Sequence, residues 1–358
     1  MNYRIAEILA ATDLESAGTK TIDINLKDII SRIEINFKAT AVTPTIADHP
    51  AANLVKVELV DGSDVLYSLT GKEGQAVDYY DRRKPAETYI SRTADDPLRA
   101  VVGMNFGRHL FDPMLALDPT RFRNLQLKIT HNEAVCDTTS TVNECRVHAQ
   151  VFDKKAVSPL GFLMSKEHYA YTATASGYQY IDLPTDHILR ALFIQALVAG
   201  TDMGSLLSEF RLSEDNDKVI PFDTKWLDEF YRHKREYGSY IEHIQTIAPA
   251  TAGTIYVTPA IAQTIVGSLD TPDLVFKGWS LDGGSISIEA ETANHEARIV
   301  VIGFMPHGVV CFPFGNQADL DDWYDVTKLG SLRLRILAAS GAGTTNTFRV
   351  LTQQLRKY

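Results

Sequence analysis

The chain has 358 residues, of which 45% are apolar and 22% charged, with a formal charge of −10. That length holds two domains of ordinary size, and that balance describes a folded globular protein and excludes a disordered one. The acidic excess argues against a surface built to grip phosphate backbones, and no apolar run reaches the roughly 18 residues of a membrane span.

Residues 1–17 form an N-terminal segment. Glu7 stands where a secretory signal needs an unbroken apolar stretch, which argues against a signal peptide. Three cysteines, an odd count, fit reduced thiols in the cytosol. Ile5, Ile8 and Leu9 fall on one face of a possible docked helix. Beyond them, period-2 alternation predicts strands near 20–26, 30–38, 53–60, 64–69, 87–92, 99–106, 124–131 and 145–152, with one short helix near 72–84 after the fourth. These make a first unit over 18–155, and 156–176 read as a linker.

A second unit follows over 177–358. Ile188 to Ala199, interrupted by Arg190 and Gln195, reads as a buried strand. Its helix is clearer than the first: Asp223 can cap it, Trp226, Leu227, Phe230, Tyr231 and Tyr237 share a face, and Gly238 stops it. Residues 238–300 have no counterpart in the first unit. They carry a hairpin signal of their own, Leu281-Asp-Gly-Gly-Ser-Ile286, and read as an elaborated loop or tower.

The two units share a sequence pattern. Asp118-Pro-Thr-Arg-Phe-Arg-Asn-Leu-Gln-Leu-Lys-Ile129 returns 207 positions later as Asp325-Val-Thr-Lys-Leu-Gly-Ser-Leu-Arg-Leu-Arg-Ile336. Upstream, Gly18–Ile24 faces Gly177–Leu183 at an offset of 159, and Asp28–Arg32 faces Asp186–Arg190 at 158. Leu54–Val65 faces Leu207–Val219 at 153 to 154, and Val77–Lys84 faces Leu227–Lys234 at 150. Phe106-Gly107 and Phe314-Gly315 each precede the long motif. The blocks are collinear, and the jump in offset after the helix corresponds to the insertion. Eight antiparallel strands per unit, with loops too short for βαβ crossovers, predict an all-β chain of two tandem eight-stranded jelly rolls, each with a short helix.

Catalytic signatures are missing: the chain has no Gly-x-Ser-x-Gly elbow, His-Glu-x-x-His, phosphate-binding Gly-x-x-x-x-Gly-Lys or Gly-x-Gly-x-x-Gly. His131, Cys136, Cys145 and His148 flank the last loop of the first unit. Their spacing leaves open a zinc shell, a loop disulfide or four unconnected side chains. The matching loop of the second unit, Ser340–Asn346, has none of these residue types, so the module does not require them. Asp319, Asp321, Asp322 and Asp325 lack the spacing of a calcium loop and read as a solvated acidic loop in which Asp325 starts a turn. Tyr79, Tyr80, Phe230 and Tyr231 read as seating the helices. No catalytic, cofactor-binding or metal-binding residue is assigned.

Two tandem jelly rolls, the second with a larger insertion, and the paired segments Phe106–Ile129 and Phe314–Ile336 together resemble the double jelly-roll major capsid proteins of tailless, often membrane-containing bacterial viruses and their adenovirus-hexon-like relatives. The resemblance spans about residues 18–358. It implies a non-enzymatic virion protein, assembled in host cytoplasm, that forms pseudo-hexagonal homotrimers tiling an icosahedral shell. It implies further contacts with penton or minor capsid proteins, and with an internal membrane through residues 1–17. The tower would lie on the outer face. Alternatives are a glycan- or receptor-binding viral structural protein, or a carbohydrate-active enzyme using a carboxylate pair such as Asp321 with Asp78 or Glu229.

Overall fold

The structure, a computed structural model, describes residues 2–40, 46–90, 97–136, 143–292 and 294–358. The first half contains β1 (Tyr3–Leu14), β2 (Ala17–Asp23), β3 (Ile30–Thr40), β4 (Leu54–Asp61), β5 (Asp64–Leu69), α1 (Gly71–Arg82), β6 (Thr88–Tyr89), β7 (Pro97–Asn105), β8 (Leu125–Asn132) and β9 (Asn143–Phe152). The second begins with β10 (Gly161–Thr172), β11 (Tyr178–Asp182), β12 (Ile188–Ala196), β13 (Leu207–Glu214), β14 (Val219–Lys225) and α2 (Trp226–Tyr237). An insertion supplies β15 (Tyr240–Ala248), β16 (Gly253–Tyr256), β17 (Pro259–Leu269), β18 (Phe276–Asp282), β19 (Ser285–Ala290) and β20 (His295–Pro306). The chain ends with β21 (Val309–Pro313), β22 (Leu332–Ala338) and β23 (Thr347–Lys357).

The strand order is the same twice. In the first roll β1-β9-β3-β7 faces β2-β8-β4-β5, and in the second β10-β23-β12-β21 faces β11-β22-β13-β14. Each pair of four-stranded layers encloses an apolar core, one centred on Ile33, Ile35, Phe37, Leu59 and Leu127, the other on Leu192, Ile194, Phe210, Leu212 and Leu334. The fold is a double jelly roll. The rolls join edge to edge, because β5 meets β10 at a parallel bridge between Ser68 and Lys166.

Strand register reproduces the sequence repeat. Ile22 pairs with Leu127 and Ile181 with Leu334, displaced by 159 and 207 positions. Leu59 and Leu212, opposite those same partners, differ by 153. The helices depart from the sequence alignment. Leu59 pairs with Tyr67 and Leu212 with Phe222, so β5 and β14 differ by 155, as do the helix starts at Gly71 and Trp226. The offset of 150 was a false register of aromatic and basic residues, displaced by more than one helical turn.

The recurring motif is a turn made twice. Asp118 Oδ1 accepts from Thr120 N (3.0 Å) and Thr120 Oγ1 (2.7 Å), and Asp325 Oδ1 accepts from Thr327 N (3.2 Å) and Thr327 Oγ1 (2.5 Å). Each carboxylate also pairs with the basic residue three positions on, Arg121 at 3.5 Å and Lys328 at 3.1 Å. Both capped turns lead directly into the strand that follows. The Phe-Gly pair also has one structural meaning. Phe106 N donates to Ser31 O (3.2 Å) and Phe314 N to Arg190 O (3.0 Å). A Cβ on Gly107 would lie 2.5 Å from Leu115 O, and one on Gly315 1.9 Å from Asp322 O. Any side chain at either position collides with the returning loop.

Several sequence expectations are corrected. Tyr3–Leu14 is an edge strand paired with β9, not a docked helix, and two register shifts, at Glu7/Leu9 and Leu9/Thr12, hide its alternation. The segment read as a linker contains β10, whose first five residues are all buried and therefore show no period of two. The eight strands of the first roll thus include β1, while the predicted strand at 87–92 is the two-residue β6, with 91 and 92 outside the described residues. Asp223 does not cap α2: the N-cap is Lys225, without a side-chain bond, and Asp223 pairs with Arg211. Of the predicted helix face, Trp226 is buried while Leu227 and Tyr231 are exposed, and the other buried residues of α2, Glu229 and His233, lay outside the prediction.

The insertion forms two three-stranded sheets, β15-β20-β17 and β16-β19-β18. It extends past 300, since β20 continues to Pro306. Its core takes in Ile46, Ile90, Leu98 and Cys136 from the first roll. The tower belongs to the second copy in sequence, and its base is seated on the first in space.

The α1 helix lies under this junction and is buried from Glu73 to Tyr80. Its N-terminus is closed by a capping box, with Glu73 N donating to Thr70 Oγ1 (3.3 Å) and Thr70 N to Glu73 Oε2 (2.8 Å). Thr70→Ala is expected to lower stability by about 1 kcal/mol, measured as a shift in the urea midpoint at unchanged slope.

Candidate assembly surfaces

Two networks of buried polar side chains lie where the rolls and tower meet. Arg190 Nη1 donates to Asp81 Oδ1 (2.5 Å) and Gln353 Oε1 (2.5 Å), and Gln353 Nε2 donates to Asp81 Oδ2 (3.1 Å) and Ser165 Oγ (3.2 Å). This network joins α1 of the first roll to β10, β12 and β23 of the second. Burial holds the Asp81 carboxyl above the usual carboxylate range, against the pull of Arg190. Tyr80 Oη donates to Val309 O (2.5 Å) and Tyr79 Oη to Tyr237 O (3.2 Å).

A cavity of about 310 Å³ opens beside this seam, lined by Asp81, Arg83, Arg108, Arg190, Cys311 and Gln353 among others. It does not hold an activated nucleophile. Burial pushes the Cys311 thiol up to about 12, so it stays protonated near neutral pH.

A second buried network fixes the tower base. Ala51 N donates to His49 Nδ1 (3.1 Å), so the proton sits on Nε2, 3.1 Å from Thr258 Oγ1. Thr258 Oγ1 donates in turn to Glu242 Oε1 (2.8 Å), and Thr258 N to Glu242 Oε2 (2.8 Å). His307 Nε2 lies 2.8 Å from Gln75 Oε1, with its ring edge-on to His49 at 4.6 Å.

The clusters singled out in the sequence separate. Cys136 is buried in the tower core and Cys145 in the core of the first roll, and all three thiols are free. Cys136 Sγ donates to His49 O at 3.1 Å. Alternation along β9 turns His148 away from Cys145. Residues 137–142 of that loop lie outside the described residues, and among the described ones no group of three metal-ligating side chains gathers.

The acidic loop is turn chemistry. Asp319 Oδ1 accepts from Asp321 N (3.1 Å), Asp322 Oδ2 from Asn316 N (2.5 Å), and the bonds from Thr327 and Lys328 hold the Asp325 carboxyl down at about 2. The carboxylates considered for glycoside chemistry are otherwise engaged. Asp78 is buried and bound by Arg32, Arg82 and Asn105, Glu229 is bound by Arg232, and Asp321 is exposed.

Large apolar side chains remain at the surface of the second roll. Val219 and Ile220 on β14, Leu227 and Tyr231 on α2, and Tyr178 and Tyr180 on β11 are exposed. Sequence reasoning missed this surface, because Leu227 and Tyr231 look like core residues by helical spacing. The seam was also missed, since Asp81, Arg190 and Gln353 are far apart in the chain. Among the described residues no helix is long and apolar enough to cross a membrane.

A chain of two collinear jelly rolls, joined edge to edge and carrying one tower, has close parallels in fold. No protein-family model and no curated protein matches the sequence. Among solved structures, the chain is similar to the STIV MCP, with a TM-score of 0.64 and 12% identity over 99% of this chain and 98% of that one. It is similar to the major capsid protein P2 of bacteriophage PM2, with a TM-score of 0.56 and 12% identity over 99% and 98%. It also matches PBCV-1 VP54, with a TM-score of 0.57 and 13% identity over 99% and 94%. At such identities the likeness is one of fold, and it spans nearly the whole chain.

Proposed function

We propose that the chain is a viral major capsid protein that closes into a homotrimer, six similar lobes around a threefold axis, and tiles an icosahedral shell. The observation that carries this reading is the identical strand order of the two rolls, in a chain matched nearly end to end by capsid proteins. Three copies of a two-lobed chain approximate a hexagon, and cyclic closure supplies the trimer. The role is structural, without catalysis. Assembly takes place in host cytoplasm, with penton and minor capsid proteins as further neighbours and the tower on the outer face. Tyr3–Leu14 is committed to a sheet, so contact with an internal membrane is not assigned to it.

Purified protein tests the proposal. A trimer by sedimentation, with hexagonally tiled or closed assemblies in electron micrographs, is the expected result. A stable monomer at micromolar concentration, with no assemblies at any salt concentration, overturns it.

A further inference from the structure

The contact between rolls inside one chain is a template for the contact between chains. Inside the chain, α1 covers the outer face of the sheet β10-β23-β12-β21, where Ala191, Phe193, Val309, Cys311 and Leu351 join the core of the first roll. Tyr80 is a principal contact, its ring 5.9 Å from that of Phe193. The same elements elsewhere are uncovered. The α2 helix carries nothing from another roll over Leu227 and Tyr231, which are 57% and 60% exposed. The edge strands β1 and β14, counterparts of the β10 and β5 that meet within the chain, each end a sheet with no further strand among the described residues.

Strand pairing identifies the corresponding residues. Phe193 lies between Cys311 and Leu351 as Glu34 lies between Gly103 and His148. Phe193 therefore answers to Glu34, and Tyr80, advanced by the helix offset of 155, answers to Arg235. An aromatic contact inside the chain becomes an acid and a base at the two free surfaces. The Arg235 side chain is 82% exposed and that of Glu34 35% exposed. The difference has a physical reason. The face that is always covered is apolar, whereas faces exposed before assembly stay soluble by being charged.

We infer that α2 of one copy docks on the β1-β9-β3-β7 face of a second copy, with Arg235 against Glu34 repeating between chains the contact of Tyr80 with Phe193. Leu227 and Tyr231 are covered in the same step. This rests on the homotrimer reading and specifies its interface. The contact is head-to-tail, so a ring closes when the rotation per copy divides the circle.

Sedimentation of the wild type, Glu34→Lys, Arg235→Glu and the double reversal, each at low and high salt, tests the inference. The wild type is expected to trimerise, less tightly as salt screens the pair. Each single reversal is expected to weaken the trimer about a hundredfold, and the double reversal to recover to within about tenfold of the wild type. Arg235→Ala, a surface truncation, gives an intermediate loss and keeps the test informative should either reversal misfold by circular dichroism. Folded single reversals that trimerise like the wild type, or a folded double reversal no better than the singles, overturn this interface while leaving the trimer standing. A monomeric wild type overturns the trimer itself.

Discussion

Arg190→Met is expected to cost about 3–5 kcal/mol of stability, because it leaves the Asp81 carboxylate buried without its cation. Both side chains are about one-twentieth exposed. Arg190 also donates to Gln353 and lies over the Trp323 ring at 5.6 Å, so the substitution removes packing as well as charge. The loss has a pH signature. Burial already holds Asp81 above the ordinary carboxylate range, and without Arg190 its pKa rises further. A carboxyl raised in the folded state contributes stability fully below its unfolded pKa, and loses it as pH rises through the folded value. The deficit of Arg190→Met should therefore shrink as pH is lowered toward 4, and Asp81→Asn in the same chain should recover part of it at neutral pH. Urea midpoints at fixed protein concentration measure this. A deficit independent of pH, with no coupling to Asp81→Asn in the double-mutant cycle, would sink the ion-pair account.

The repeat was legible because turn chemistry and strand alternation are local. Asp-x-Thr-basic closes a turn on its own backbone, and the alternating strand after it shows which face is inside. Those local signals placed seven of the strands of the first roll and the offsets that relate the two rolls. They failed where the local pattern is broken or uniform. The bulges of β1 destroy its period, and the buried start of β10 has none to show. On α2, Leu227 and Tyr231 carry the chemistry of a core without being covered in the single chain. The seating of the tower was out of reach for a further reason. It depends on His49 meeting Thr258 and on Gln75 meeting His307, contacts that no neighbouring residue in the sequence specifies.

Acidification is expected to lower stability in a defined window, through two buried histidines at the joints beside the seam. His233 Nε2 accepts from Cys311 N (2.8 Å) while Nδ1 lies 2.9 Å from Glu229 O, so the folded imidazole is neutral, and burial lowers its pKa to about 4. Burial and the nearby His49 and Lys72 push His307 well below the ordinary value of 6.5. A histidine depressed in the folded state contributes stability that is fully present above its unfolded pKa near 6.5 and is lost as pH falls through the folded value. For His233 alone the loss between about 6.5 and 4 is about 3 kcal/mol, and His307 adds to it in the same direction. Glu73 works oppositely. Burial raises its carboxyl to about 7, so its contribution is full below the unfolded value of 4.5 and declines as pH rises. Glu73 therefore opposes the histidines within the same window, between about 4.5 and 7, and the two histidines together outweigh it on the acid side. Urea midpoints from pH 4 to 8 should fall on the acid side in the wild type, and in His233→Gln with His307→Gln that fall should vanish or turn into a rise as the raised Glu73 and Asp81 carboxyls protonate, whatever the neutral-pH stability of that variant. An acid limb of unchanged slope in the double variant would remove both histidines from the account. The direction matters for the molecule because the two rings fasten different joints: His233 holds α2 to β21 of its own roll, and His307 holds the tower base to α1 of the other.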